Sequence, residues 1–383
     1  MMTTRMKALL LAASALSVTG TLAYAQDAQT QAELDALRAR VEALESADSS
    51  PADGDFRIGN TTLDVYGYVK ADFFYDFDFD QGDTAFVNVI GEPSAATDGT
   101  FGATVRQSRI GLRTTTPSGI GDIGGQLELD LFGSGGTAEL RIRHANITIG
   151  DQFLIGQYWT NFQPLDTYPT SVEFNGPVGI AFARVPQLRY TGQLGGDAQF
   201  AVSLEENVSG SNSDDPVLTA SAEYNDGTYI ARGAVLYGKA NSGSVEVDQT
   251  GFTASASVRP WQGGLFQVNY VTGEALGPYL IGLGDAIVGG QANDVDGYTV
   301  EFRQDLSPKW NVGIAYGREN YDLPTSTGTL SFTELETIHV NAFYKATDNL
   351  TLSAEYIYGE RNDAPTGRTF DGSRVQLAAQ LNF

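Results

Sequence analysis

The chain has 383 residues, 23 basic side chains against 47 acidic ones, a formal net charge of −24 and no cysteine. Without cysteine it can build no disulfide scaffold, thiolate metal site or thiol nucleophile, and its acidity excludes a polyanion such as nucleic acid as partner. Yet only 18% of residues are charged and 11% are aromatic, with 18 Tyr and 20 Phe, so this is not a disordered acidic chain.

Residues 1–25 read as a secretory signal. Arg5 and Lys7 form the basic start, 8–22 is apolar, and Ala23-Tyr-Ala25 is the cleavage motif, placing the mature start at Gln26. The segment is shorter than the roughly 20 apolar residues a membrane-spanning helix needs, and no later run is longer. A mature membrane protein with this sequence therefore has to be a barrel. In 26–47, Leu34, Leu37, Val41 and Leu44 recur at spacings of three and four with charged flanks. This predicts a short amphipathic helix that gains stability by self-association, as a small coiled coil joining protomers. Residues 48–62 have the composition of a linker.

From 63 to 383 the period becomes two. Val375, Leu377, Ala379, Leu381 and Phe383 alternate with Arg374, Gln376, Ala378, Gln380 and Asn382, and Tyr298, Val300 and Phe302 alternate with Thr299, Glu301 and Arg303. About sixteen such segments follow one another, each near the 9–11 residues with which a tilted strand crosses a bilayer. They lie near 63–77, 104–115, 122–131, 139–149, 153–159, 186–193, 198–205, 217–224, 228–238, 250–259, 264–272, 297–305, 310–318, 335–345, 350–359 and 373–383. Short turns, such as 116–121, 150–152 and 225–227, alternate with mostly longer loops at 78–103, 160–185, 206–216, 239–249, 273–296, 319–334 and 360–372. An even strand count with short turns at one end and long loops at the other predicts an all-β fold, a 16-stranded antiparallel transmembrane β-barrel. A secreted β-sandwich also alternates, but its apolar face would be a core of large aliphatics. Here that face is light, and Phe73, Tyr75, Phe77 and Phe79 gather at a strand end as in an interfacial girdle. Phe383, closing an amphipathic strand, reads as the terminal signal presented to the barrel assembly machinery.

Particular segments resemble the DcaP-like family of trimeric outer-membrane porins. They are Arg106-Gln-Ser-Arg-Ile-Gly-Leu-Arg113, Leu140-Arg-Ile-Arg-His-Ala145, Leu154-Ile-Gly-Gln-Tyr-Trp-Thr-Asn-Phe162, Phe174-Asn-Gly-Pro-Val-Gly179 and Gln187-Leu-Arg-Tyr190. The resemblance implies a homotrimer in the outer membrane of a Gram-negative bacterium, among lipid and lipopolysaccharide. It also implies a periplasmic helix ahead of the barrel and passive diffusion of small anionic solutes, dicarboxylates included. It implies no enzyme activity and no cofactor.

The residues that would govern passage follow from parity. Arg109 and Arg113 oppose Ile110 and Leu112, Arg141 and Arg143 oppose Leu140 and Ile142, and Arg189 opposes Leu188 and Tyr190. An arginine facing lipid at mid-membrane costs about 2–4 kcal/mol, so these five should point into the lumen, where guanidinium groups attract and grip carboxylates. Arg232, Arg303 and Arg374 share lumen parity. The long connection 160–185, with Asp166, Glu173 and Arg184, would narrow the pore by folding inward. Carboxylates such as Glu128, Asp130, Glu301 and Glu355 would instead neutralise the arginines and leave weak selectivity. After His144 the parity breaks, predicting a bulge or a protein contact.

Other signals are weak. Asp76, Asp78 and Asp80 start like a calcium loop, but the glycine comes late and Val87 stands where a glutamate should be, so no metal is expected. His144 and His339 lie in no nucleophile motif, which leaves a barrel-borne hydrolase a remote alternative. An anchoring barrel whose helix contacts the cell wall is a third reading.

Overall fold

A computed structural model describes residues 56–92, 99–133, 138–208, 215–327 and 330–383. The predicted signal (1–25), the helix with Leu34, Leu37, Val41 and Leu44, and most of the linker lie outside the described residues.

Sixteen spanning strands form one antiparallel sheet. They are β1 Thr61–Asp76, β2 Arg109–Thr116, β3 Ile123–Asp130, β4 Arg141–Ile149, β5 Phe153–Trp159, β6 Arg184–Gly195, β7 Ala198–Glu205, β8 Val217–Asn225, β9 Tyr229–Ser242, β10 Val245–Val258, β11 Gly264–Glu274, β12 Asp294–Ser307, β13 Trp310–Thr327, β14 Leu330–Lys345, β15 Leu350–Asp363 and β16 Thr369–Asn382. Each pairs with its neighbour in sequence, and β16 returns to β1 with Tyr68 opposite Asn382, so the sheet closes and no edge is left unpaired. β2 is the lower half of an interrupted strand: Thr100–Thr104 pairs with the upper part of β1 and Arg109–Thr116 with the lower part.

The polarity is that of a barrel in lipid, turned inside out relative to a soluble core. On β16, Arg374 and Gln376 are buried within the barrel while Leu377 is 53% exposed on its outside. Outward aromatics form two belts. Near the short turns, Phe153 packs on Tyr190 and Trp310 on Tyr344; near the long loops, Tyr75 meets Phe77 and Tyr298 meets Tyr316. Phe383 exchanges backbone hydrogen bonds with Gly67 at 3.1 Å in both directions, finishing the seam.

Three expected loops are largely strand. β9 and β10 are joined at 243–244 within the expected 239–249 loop, and the ladders of β13–β14 and β15–β16 run through most of 319–334 and 360–372. Above the apolar belt the outward face turns polar while Tyr321, Phe332 and Phe370 pack inward, so backbone pairing continues where the lipid-facing alternation stops. The linker is also shorter than expected, because Phe56–Ile58 pairs antiparallel with the start of β1. The wall is therefore uneven. β3, β4, β5, β7 and β8 have seven to nine residues, whereas β9, β10 and β12–β16 have 14 to 18.

Candidate functional site: the lumen and its arginine wall

The connection between β5 and β6, residues 160–183 (loop L3), lies inside the barrel. It does not hang across the middle but follows the tall wall strand by strand, each step fixed by a lumen-facing side chain. The Asn161 N–H donates to Glu205 on β7 (2.8 Å), and Arg232 on β9 donates to the Asn161 carbonyl (2.6 Å). Thr253 on β10 donates to the Phe162 carbonyl, and Asn269 on β11 to that of Thr167. The Thr170 N–H reaches Glu301 on β12 (3.1 Å). The N–H groups of Val172 and Glu173 both reach Glu355 on β15 (3.0 and 2.7 Å). Lys70 on β1 caps the Val172 carbonyl (2.5 Å), and the loop then returns through Thr337 on β14 to Glu319 on β13, which accepts from Gly179 (2.9 Å).

All four wall carboxylates in this path, Glu205, Glu301, Glu319 and Glu355, are at most 2% exposed. A buried loop must satisfy its backbone donors, and charged acceptors do so with stronger bonds than neutral ones. His339 completes the anchor by meeting Glu355 at 3.3 Å, which gives that histidine a structural partner. Glu173 folds back onto the N–H groups of Asn175, Gly176 and Ala85, and burial pushes its carboxyl above the ordinary range. At Gly179 (φ +88°) a Cβ would stand 2.3 Å from the Tyr298 carbonyl oxygen and 2.5 Å from that of Arg318, so only glycine lets the loop approach so closely.

Towards the loop end, L3 packs against the loop after β1 and the 275–293 loop. Val87, Ile90, Phe162, Val178, Ile180, Leu276, Tyr279 and Leu280 form an apolar core there, and the Phe182 N–H donates to the Tyr279 carbonyl (2.6 Å). Open space remains beside L3 along both walls, the larger part against β12–β16 near the short turns and a smaller part at the short wall. A cavity of about 790 Å³ near the short turns includes Lys70, Gln107, Arg303 and Phe343 in its lining, and one of about 320 Å³ nearer the loops includes Arg106, Phe132, Arg141 and Phe174. Residues 170–174 of L3 stand between them.

The short wall carries the arginines. Arg141 grips Asp130 with two bonds (3.0 and 2.7 Å), and Arg143 bridges Glu128 (2.8 Å) and Asp130 (3.0 Å). Arg109 lies 3.5 Å from Glu128, and Arg106 pairs with Asp83 at 3.0 Å. Arg184 has no ion pair among the described residues; its guanidinium sits over Trp159, and Nη1 is buried without a hydrogen-bond partner. Five guanidinium groups thus face three carboxylates. A bulge at Arg143 lets Glu128 pair with His144 while Leu129 pairs with Ile142, bringing Arg143 and His144 both inside.

The predicted lining residues separate into groups. Arg109, Arg141, Arg143 and Arg184 come together. Arg303 is committed to L3, donating to the Thr170 carbonyl (3.1 Å), and Arg189 to the strand end just before it, donating to the Trp159 carbonyl (2.5 Å). Arg113 lies apart near the short turns, its side chain 54% exposed and 3.9 Å from Asp64. Asp166 points the same way, accepting from Asn225 at the end of β8 (3.3 Å), while Glu173 is buried at the loop tip. Arg106 was invisible to parity, because it shares the register of Ile110 and Leu112 and only the break at 105–108 turns it inward. Phe132, Trp159 and Phe174 were likewise missed, since aromatic residues read as girdle.

The geometry agrees with comparisons to known proteins. The fold matches the crystal structure of the outer membrane channel DcaP of Acinetobacter baumannii with a TM-score of 0.79 and 24% identity, over 86% of this chain and all (100%) of that one. An anion-selective porin from Comamonas acidovorans matches at 0.59 and 13% identity, over 84% of this chain and 100% of that one. The trimer form of OmpT, an outer membrane protein of Vibrio cholerae, matches at 0.57 and 14% identity, over 84% of this chain and 99% of that one. No curated protein matches the chain. Residues 15–258, more than half of the sequence, match the family model of the DcaP outer membrane protein. An outer-membrane channel fold with a narrowed, arginine-walled lumen thus accompanies a family match of that length, and the chain belongs to the DcaP outer membrane protein family.

Proposed function

We propose that the protein is a porin through which small hydrophilic solutes diffuse passively, favouring anions such as dicarboxylates. The observation that carries this reading is the excess of guanidinium over carboxylate on the short wall, with Arg184 over Trp159 and without an ion pair among the described residues. Permeation depends on the field where the path is narrowest, so a net charge of −24 over the whole chain does not oppose it. The fold shared with an anion-selective porin is consistent with this reading.

In this reading Arg109, Arg141, Arg143 and Arg184 line the constriction, and Arg189 and Arg303 act through L3. Asp166 and Glu173 contribute to the shape of the loop. The working assembly is a homotrimer in the outer membrane, as in the trimer form of the Vibrio protein, with the N-terminal helix on the periplasmic side and the chain inserted through recognition of Phe383. Reversal potential in planar bilayers under a salt gradient tests the reading. Anion preference supports it and cation preference refutes it; matched neutral, anionic and cationic solutes in liposome swelling then rank the substrates.

A further inference from the structure

The four guanidinium groups nearest the L3 tip do not stand alone. They alternate with aromatic rings in an unbroken file. Arg106 lies 4.9 Å from the Phe132 centroid, and Arg141 lies 5.3 Å from Phe132 and 5.7 Å from Phe174. Arg143 follows at 5.8 Å from Phe174 and 5.5 Å from Trp159, and Arg184 ends the file 5.0 Å from Trp159. The rings come from three places: Phe132 follows β3, Trp159 ends β5, and Phe174 belongs to the loop tip, where it touches Phe132 with centroids 4.4 Å apart.

We propose that Phe132, Trp159 and Phe174 are specificity-determining positioning residues, whose ring faces hold Arg106, Arg141, Arg143 and Arg184 in line along the passage. The inference rests on the proposed anion preference and adds what sustains it. Neighbouring like charges on long side chains repel; Asp83, Asp130 and Glu128 engage Arg106, Arg141 and Arg143, but no carboxylate pairs with Arg184 among the described residues. A carboxylate that holds a guanidinium also consumes its donors and cancels its charge. A ring face holds it through the π quadrupole, leaving the donors on its edge free and the charge intact. Arg184 shows the difference, since Trp159 is its ring partner and no carboxylate pairs with it among the described residues. Because Phe174 is on L3, the file also ties the loop tip to the wall it faces.

The test compares wild type, Trp159→Leu, Phe174→Leu and Phe174→Tyr as full-length protein in planar bilayers, reading reversal potential and single-channel conductance under a KCl gradient. Leucine keeps apolar bulk and removes the π face; tyrosine keeps the face. Each leucine variant should lower the anion-to-cation permeability ratio about two- to five-fold with little change in conductance, and Phe174→Tyr should match wild type. An unchanged ratio in both leucine variants of an anion-selective channel overturns the role of the rings and leaves the anion reading standing. Equal loss in Phe174→Tyr and Phe174→Leu also overturns it. A wild-type channel without anion preference overturns the anion reading and this inference together. Phe174 lies on a loop and outside the strand ladder, so its pair of variants decides the matter if Trp159→Leu fails to fold.

Discussion

The two sides of this barrel use lumenal charge in opposite ways. On the tall wall, from β9 round to β16, the charged groups that meet L3 are saturated: Glu301, Glu319 and Glu355 accept from its backbone, and Arg303 and Arg232 donate to its carbonyls. On the short wall Glu205 also holds the start of the loop, but from β2 to β5 charges meet one another, and guanidinium groups remain in excess. A lumen-facing charge is therefore a structural fastener where a loop lies over it and a source of field where none does. The tall strands give L3 a surface to lie on, and of the space left over the larger cavity meets β12–β16 near the short turns while the smaller one meets the arginines of the short wall.

That contrast can be broken from either side. The largest effect is expected from Glu355→Ala, which strands the N–H groups of Val172 and Glu173, leaves His339 without its carboxylate and removes one of the two acceptors of Asn341. Loss of about 3 kcal/mol or more should lower the thermal unfolding temperature and add frequent closures to single-channel records. Gly179→Val drives a side chain into two carbonyl oxygens at a left-handed φ. It should cost about 1–3 kcal/mol by denaturant unfolding, with ion selectivity kept, because the strain falls on the tall side. Arg143→Ala combined with Arg184→Ala should do the reverse, leaving Glu128 and Asp130 under-compensated and shifting reversal potential toward cations by a roughly 5- to 10-fold change in permeability ratio while stability falls less. Arg113→Ala should leave reversal potential unchanged, since the side chain is exposed away from the constriction. A clear shift there would extend the field-bearing region down to the short turns.

Much of this was legible in the sequence, for a physical reason. A strand with lipid on one side and water on the other must alternate, so strand number, order and the inward parity of Arg109, Arg141 and Arg143 follow from local pattern. Pattern failed where its cause failed. Outside the bilayer no lipid enforces alternation, and β9, β10 and β13–β16 run on through polar sequence that reads as loop. At the break in β2 parity reverses without a compositional mark, which hid Arg106. Aromatic residues carry no label separating a membrane belt from a ring set against a guanidinium, so Phe132, Trp159 and Phe174 went unread.

By itself, then, the sequence determined the barrel: alternation along each segment and short turns alternating with longer connections. It also determined that several arginines face inward. Only the tertiary structure decided which of them act on a passing solute. Arg189 and Arg303 have the same parity as Arg109 and Arg143, yet backbone carbonyls at the start of L3 and within it hold the first two, while the others meet Glu128 on the short wall. Parity is a property of one strand, whereas compensation depends on what lies opposite, and here that was set by the path of a loop across strands distant in sequence.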